Sequence, residues 1–136
     1  MRVKSVITGL VAAHLGITLW HGNAHQQLGI TLPIEKNVFV YAVIVIAPIV
    51  ASFLVWFHRD TLGVWLFFLS MLGSLFFGVY HHYVLISADN IQHLPAGSAD
   101  VHAAFITSAG VLALAELGAV IYGAFCLGLL QPRQAA

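Results

Sequence analysis

Eight histidines stand in a chain with only five basic and five acidic residues, and imidazole is the commonest metal ligand among side chains. His21 and His25 are four residues apart, a spacing that puts two imidazoles on one helix face and within reach of one ion. His81 and His82 are adjacent, so on a helix they point about 100° apart; one can ligate while the other orients it or serves a second centre. Asp89-Asn90-Ile91-Gln92-His93 repeats the four-residue spacing with a carboxylate and a histidine, ahead of a Pro95-Ala96-Gly97 turn. Asp89 can ligate, accept a ring hydrogen from a ligating histidine, or cap the turn. With His102 added, the candidate metal ligands are His21, His25, His81, His82, His93, His102 and Asp89.

Two further polar residues fall deep inside apolar stretches. Glu116 is fourteen residues beyond His102, hence about 20 Å down a helix, and His14 is about 15 Å below the end of its own. A carboxylate at that depth in lipid must be protonated, paired or facing a cavity, because ionising it unpaired costs several kcal/mol. Both lie on the histidine-bearing faces of their helices, so a His14–Glu116 pair is expected, as an interhelical hydrogen bond, a proton relay or part of an ion path. Ser70, Ser74 and Gly78 recur every fourth residue towards His82, a small-residue stripe that lets a neighbouring helix approach closely.

The elements that carry these residues must lie in lipid. The chain is 60% hydrophobic and 7% charged, whereas a soluble domain has about a quarter of its residues charged. Four apolar stretches, 3–23, 38–57, 62–86 and 101–130, each have the roughly 20 residues needed to cross about 30 Å of hydrocarbon. The expected fold is therefore an all-α integral membrane protein, one four-transmembrane-helix antiparallel bundle spanning residues 1–136. Pro48 marks a kink in the second helix. Met1-Arg2-Val3-Lys4 and Gly22-Asn23-Ala24 resemble the ends of a signal peptide, but His14 interrupts the apolar run, and a retained first helix is expected. Arg2, Lys4, Arg59 and Arg133 fall on the side of both termini, and only Lys36 on the other. The termini are thus expected to be cytoplasmic, in a bacterial inner membrane. That arrangement carries six histidines, at positions 21, 25, 81, 82, 93 and 102, to the outer face.

The composition excludes several functions. Near-zero net charge without basic runs argues against nucleic acid. A single cysteine, Cys126, allows no internal disulfide and no paired-thiolate zinc site. There is no phosphate-binding glycine loop and no nucleophile elbow. Asp89-x-x-x-His93 followed by His102 resembles the Asp/His/His copper site in the membrane C subunit of methane and ammonia monooxygenases, over fewer than 20 residues and with a shorter interval broken by Pro95. His21/His25 and His81/His82 likewise resemble histidine boxes of membrane desaturases and hydroxylases, which are much longer chains with more boxes.

Four function classes remain. A non-haem centre of copper or iron, with zinc third, would act on dioxygen and a small apolar substrate as a membrane oxidoreductase or a subunit of one. A b-type haem carrier would take one axial ligand from His21 or His25 and the other from His81 or His82. A metal-ion transporter would continue inward through His14 and Glu116. An accessory subunit would have no centre of its own. The bilayer is the expected partner in each case, with a homo-oligomer or a larger membrane complex allowed by the small-residue faces.

Overall fold

The computed structural model describes residues 2–130; Arg133 lies outside them, as does the Arg2 side chain. Four helices pack antiparallel: α1 (Arg2–Gln27), α2 (Ile34–Trp56), α3 (Asp60–Val84) and α4 (Ala99–Leu130). By length and hydropathy all four are candidate membrane spans. The helices run past the apolar stretches because polar residues such as those of Asn23–Gln27 continue them. Helix α1 stops at Gly29, whose φ of +64° suits glycine. There the Ile30 N–H donates to the His25 carbonyl and the Gly29 N–H to that of Gln26, capping both (3.0 and 3.1 Å).

Two helices contain π-helical turns. Residues Val40–Ile46 of α2 are π-helical and lead directly to Pro48. Proline cannot donate an N–H, and its ring crowds the carbonyl four residues earlier; the wider turn upstream gives that carbonyl room. The kink expected at Pro48 thus takes the form of a π segment. Tyr80–Val84 ends α3 in a second π turn, closed by Leu85 N–H donating to the Tyr80 carbonyl at 2.7 Å. Widening at this point changes the aim of the His81/His82 pair.

Large apolar side chains are exposed and several polar ones are buried. Leu19 is 76% exposed while Glu116 is 1% exposed. An apolar cluster fills one end, with Ile7, Val11, Ala51, Val55, Phe67 and Met71 at its heart. A smaller one, Ala24, Leu28 and Phe105, sits at the other. Between them lie buried His14, Ser74, Ser108 and Glu116. Close packing of α2 on α3 depends on Gly63, where a Cβ would stand 2.7 Å from Val55 Cγ1 and 2.9 Å from its backbone nitrogen.

Candidate metal centre

His21 and His25 come from the last turns of α1, and His82 from the π turn that ends α3. Their Nε2 atoms converge: His21 Nε2 is 3.1 Å from His82 Nε2 and 3.1 Å from His25 Nε2. Three imidazole nitrogens bound to one tetrahedral ion at 2.0–2.1 Å would stand about 3.3 Å apart. The group can hold a metal ion. His21 and His82 are buried, His25 partly so, and the Phe105 ring packs against all three.

On its far side each of two rings meets another protein group through Nδ1. Ser108 Oγ donates its one hydrogen to the Phe105 carbonyl at 3.1 Å. With that hydrogen on the carbonyl, Ser108 Oγ can accept from His21 Nδ1, 2.8 Å away. His82 Nδ1 lies 2.9 Å from the Asp89 main-chain oxygen, and a carbonyl can only accept. When both rings are neutral with hydrogen on Nδ1, they present bare Nε2 lone pairs to each other at 3.1 Å. Two lone pairs at that distance repel unless a cation lies between them. This is the arrangement of metal-ligating histidines, whose other ring nitrogen is tied back to the protein.

Asp89 reaches the group from the loop between α3 and α4. Ile91 N–H donates to the His82 carbonyl (3.0 Å), Asn90 Nδ2 donates to the Leu85 carbonyl (3.1 Å), and Asn90 Oδ1 accepts from Gln92 N–H (2.9 Å). Folded back in this way, the loop sets Asp89 Oδ1 3.1 Å from His25 Nε2 and 3.2 Å from His82 Nδ1, aligned for a hydrogen bond with neither. Burial by itself would raise the Asp89 carboxyl, but the His25 and His82 rings outweigh it and hold the group well below the usual carboxylate range. The result is an anion beside three nitrogen donors, able to ligate or to serve as a base.

The other candidate residues are placed elsewhere. His81 is buried beside His82 but turns back to its own helix, where Nδ1 donates to the Phe77 carbonyl at 2.9 Å and the ring packs against Phe77. His93 Nδ1 lies 3.4 Å from Asn90 Oδ1 on an exposed part of the loop. His102 Nε2 donates to the Pro95 carbonyl at 2.8 Å and ties the loop to the start of α4. His14 Nε2 and Glu116 Oε1 are 3.1 Å apart, Ser74 Oγ donates to the same carboxylate oxygen, and His14 Nδ1 is buried without a partner among the described residues.

Ser108, Asn90 and Phe105 carry structural weight that the sequence reading gave them no part in. Ser108 is in phase with Glu116, eight residues away on the same inward face, and that register was the available signal. Asn90 and Phe105 had none, because loop closure and ring packing are tertiary.

The alternative reading, a b-type haem between α1 and α3, finds no supporting feature. Axial imidazoles stand about 4 Å apart across an iron, twice a metal–nitrogen bond, and on opposite faces of a porphyrin. Here the rings meet edge to edge, with His21 and His82 centroids 4.7 Å apart, and no porphyrin slot exists among the described residues. Compared with known proteins, the chain matches no family model, no curated sequence and no solved structure at a significant level.

Proposed function

We propose that this chain is a multi-pass membrane metalloprotein that holds one copper or iron ion on His21, His25 and His82, with Asp89 beside it, for redox chemistry involving dioxygen. The observation that carries the reading is the convergence of three imidazoles, with the His21 and His82 Nε2 atoms 3.1 Å apart and each ring's Nδ1 against another protein group. Nitrogen donors with one carboxylate suit copper, iron or zinc. Thiolate chemistry has no place in it, since Cys126 belongs to the apolar cluster at the opposite end. Three histidines leave a coordination position open, as a reactive rather than purely structural site requires. Lys4 and Arg59 lie at the end of the bundle away from the site, so the centre belongs near the extracytoplasmic face with both termini cytoplasmic.

A transport reading has one specific observation in its favour. Ser74 and Glu116 line the same cavity as the three histidines, giving a cation a second stop further into the bundle.

Elemental analysis with visible and paramagnetic-resonance spectra on the detergent-purified protein tests the centre. The expected result is one copper or iron per chain without a Soret band. His25→Ala and His82→Ala should each lose most of that metal while helicity is retained. Unchanged metal in both variants overturns the assignment. Flux of the ion into liposomes without any turnover would decide for transport.

A further inference from the structure

Helices α1 and α2 are tied together at one end and parted at the other. At the tied end Thr8 Oγ1 is 2.9 Å from Ser52 Oγ and accepts from Trp56 Nε1–H at 2.9 Å, over the packed Ile7, Val11, Ala51 and Val55. Beyond His14 the π segment of α2 begins, and a cavity of about 800 Å³ opens between the two helices and α3. That volume falls within the roughly 300–1,000 Å³ range of pockets that hold small ligands. Its α2 wall is formed by Val40, Ile44 and Val45 together with Asn37 and Tyr41, while its floor and far end carry Ser74, Glu116, Asp89 and the edges of the three imidazoles.

The shape and chemistry of the cavity select its occupant. A partner's transmembrane helix would need a groove running the length of the bundle, and the Thr8–Ser52–Trp56 knot closes this one halfway. A bare hydrocarbon chain would leave the buried Asp89 Oδ1, which has no hydrogen-bond partner among the described residues, facing an apolar group, a cost of about 1–3 kcal/mol. Two carboxyl groups on the lining disfavour an anionic head, and a metal ion at the histidines disfavours a cationic one. What remains is a neutral hydrogen-bond donor on an apolar body.

We propose that the cavity between α1 and α2 binds a membrane-dissolved alcohol or phenol, with its hydrocarbon part along the α2 wall and its hydroxyl at the histidine end. This names the ligand class of the centre proposed above, and the placement of the hydroxyl rests on that centre. Gly22 fits the same picture: it lies inside the last two turns of α1, it lines the cavity, and a Cβ there would meet nothing within 4 Å. Glycine within a helix costs roughly 0.5–1 kcal/mol relative to alanine; here it keeps the mouth of the cavity wide.

A diazirine analogue of 1-dodecanol, photolysed on the full chain in detergent and mapped by peptide mass spectrometry, provides the test. Labelling of the α1 and α2 cavity walls should saturate and be competed by 1-dodecanol, but not by dodecane or dodecanoate. Val45→Phe and Gly22→Leu, which fill the cavity, should weaken it by about tenfold, equivalent to 1.4 kcal/mol, with metal content and helicity unchanged. In copper(II)-loaded protein the carbinol resonance of ¹³C-labelled dodecanol should broaden, and the broadening should disappear in His82→Ala. Saturable cavity labelling in a chain that binds no metal would sink the metal reading and leave the ligand site standing. Labelling spread evenly over the lipid-facing surface, competition by dodecane or dodecanoate as good as by dodecanol, or undiminished labelling in both filled variants would overturn the ligand site. Saturable labelling without broadening in the loaded protein would overturn the hydroxyl's placement.

Discussion

A neutral imidazole has one hydrogen to give, so the partner of Nδ1 decides what Nε2 can do. Ser108 and the Asp89 carbonyl therefore matter as much as the rings they hold. Ser108→Ala removes the acceptor for His21 and should lower metal affinity by about 10–100-fold, the usual cost of losing such a contact, in a competition titration with a chelator. His81→Ala in the same titration should leave affinity unchanged, because its ring is turned to the Phe77 carbonyl. The sequence contained the His21/His25 pair in legible form, since four-residue spacing is a local property of a helix. It could not choose between His81 and His82, because that choice depends on a π turn whose cause is tertiary. Nor could it place Asp89, which the Asn90-pinned loop delivers across space.

The helices were legible from hydropathy alone, and their departures from regular α-geometry were not. Pro48 announced a disturbance in α2, but its form, a widened segment over Val40–Ile46, depends on what α2 can lean against. Contact between α2 and α3 has a sharper signature in Gly63. Alanine there would drive a methyl to within 3.0 Å of the Ala51 carbonyl as well as against Val55, and backbone atoms cannot give way singly. Gly63→Ala should cost about 1–3 kcal/mol of stability despite alanine's better helix propensity, read as a lower midpoint in thermal or detergent unfolding. At Gly78 a Cβ would meet Glu116 Oε2 and His82 Cδ2 only at 3.8 and 3.9 Å, so alanine fits there.

At the scale of the whole molecule, the buried polar layer is what apolar patterning could not describe. A hydropathy profile registers Glu116 as a blemish in a span, whereas in the bundle it accepts from Ser74 and lies 3.1 Å from His14 Nε2. Glu116→Leu strands both partners and should destabilise the bundle by about 1–3 kcal/mol. Glu116→Gln keeps an acceptor oxygen and should cost less, with metal content retained in both variants; unfolding midpoints and elemental analysis of the two proteins read this out. The expected His14–Glu116 partnership could be inferred because two polar residues at similar depth in lipid have few alternatives to each other. Ser74 was legible only as a small residue.

Two of the converging nitrogens belong to the first helix and the third to the end of the third, while Ser108 on the fourth fixes the orientation of one ring. While the bundle assembles, a chain in which only α1 and α2 are in place offers a lone histidine pair. The triangle closes when α3 is in place, and His21 is locked when α4 arrives. A tightly held ion would thus report that all four helices have assembled, and a chain truncated after α3 would exchange its metal faster than the complete bundle.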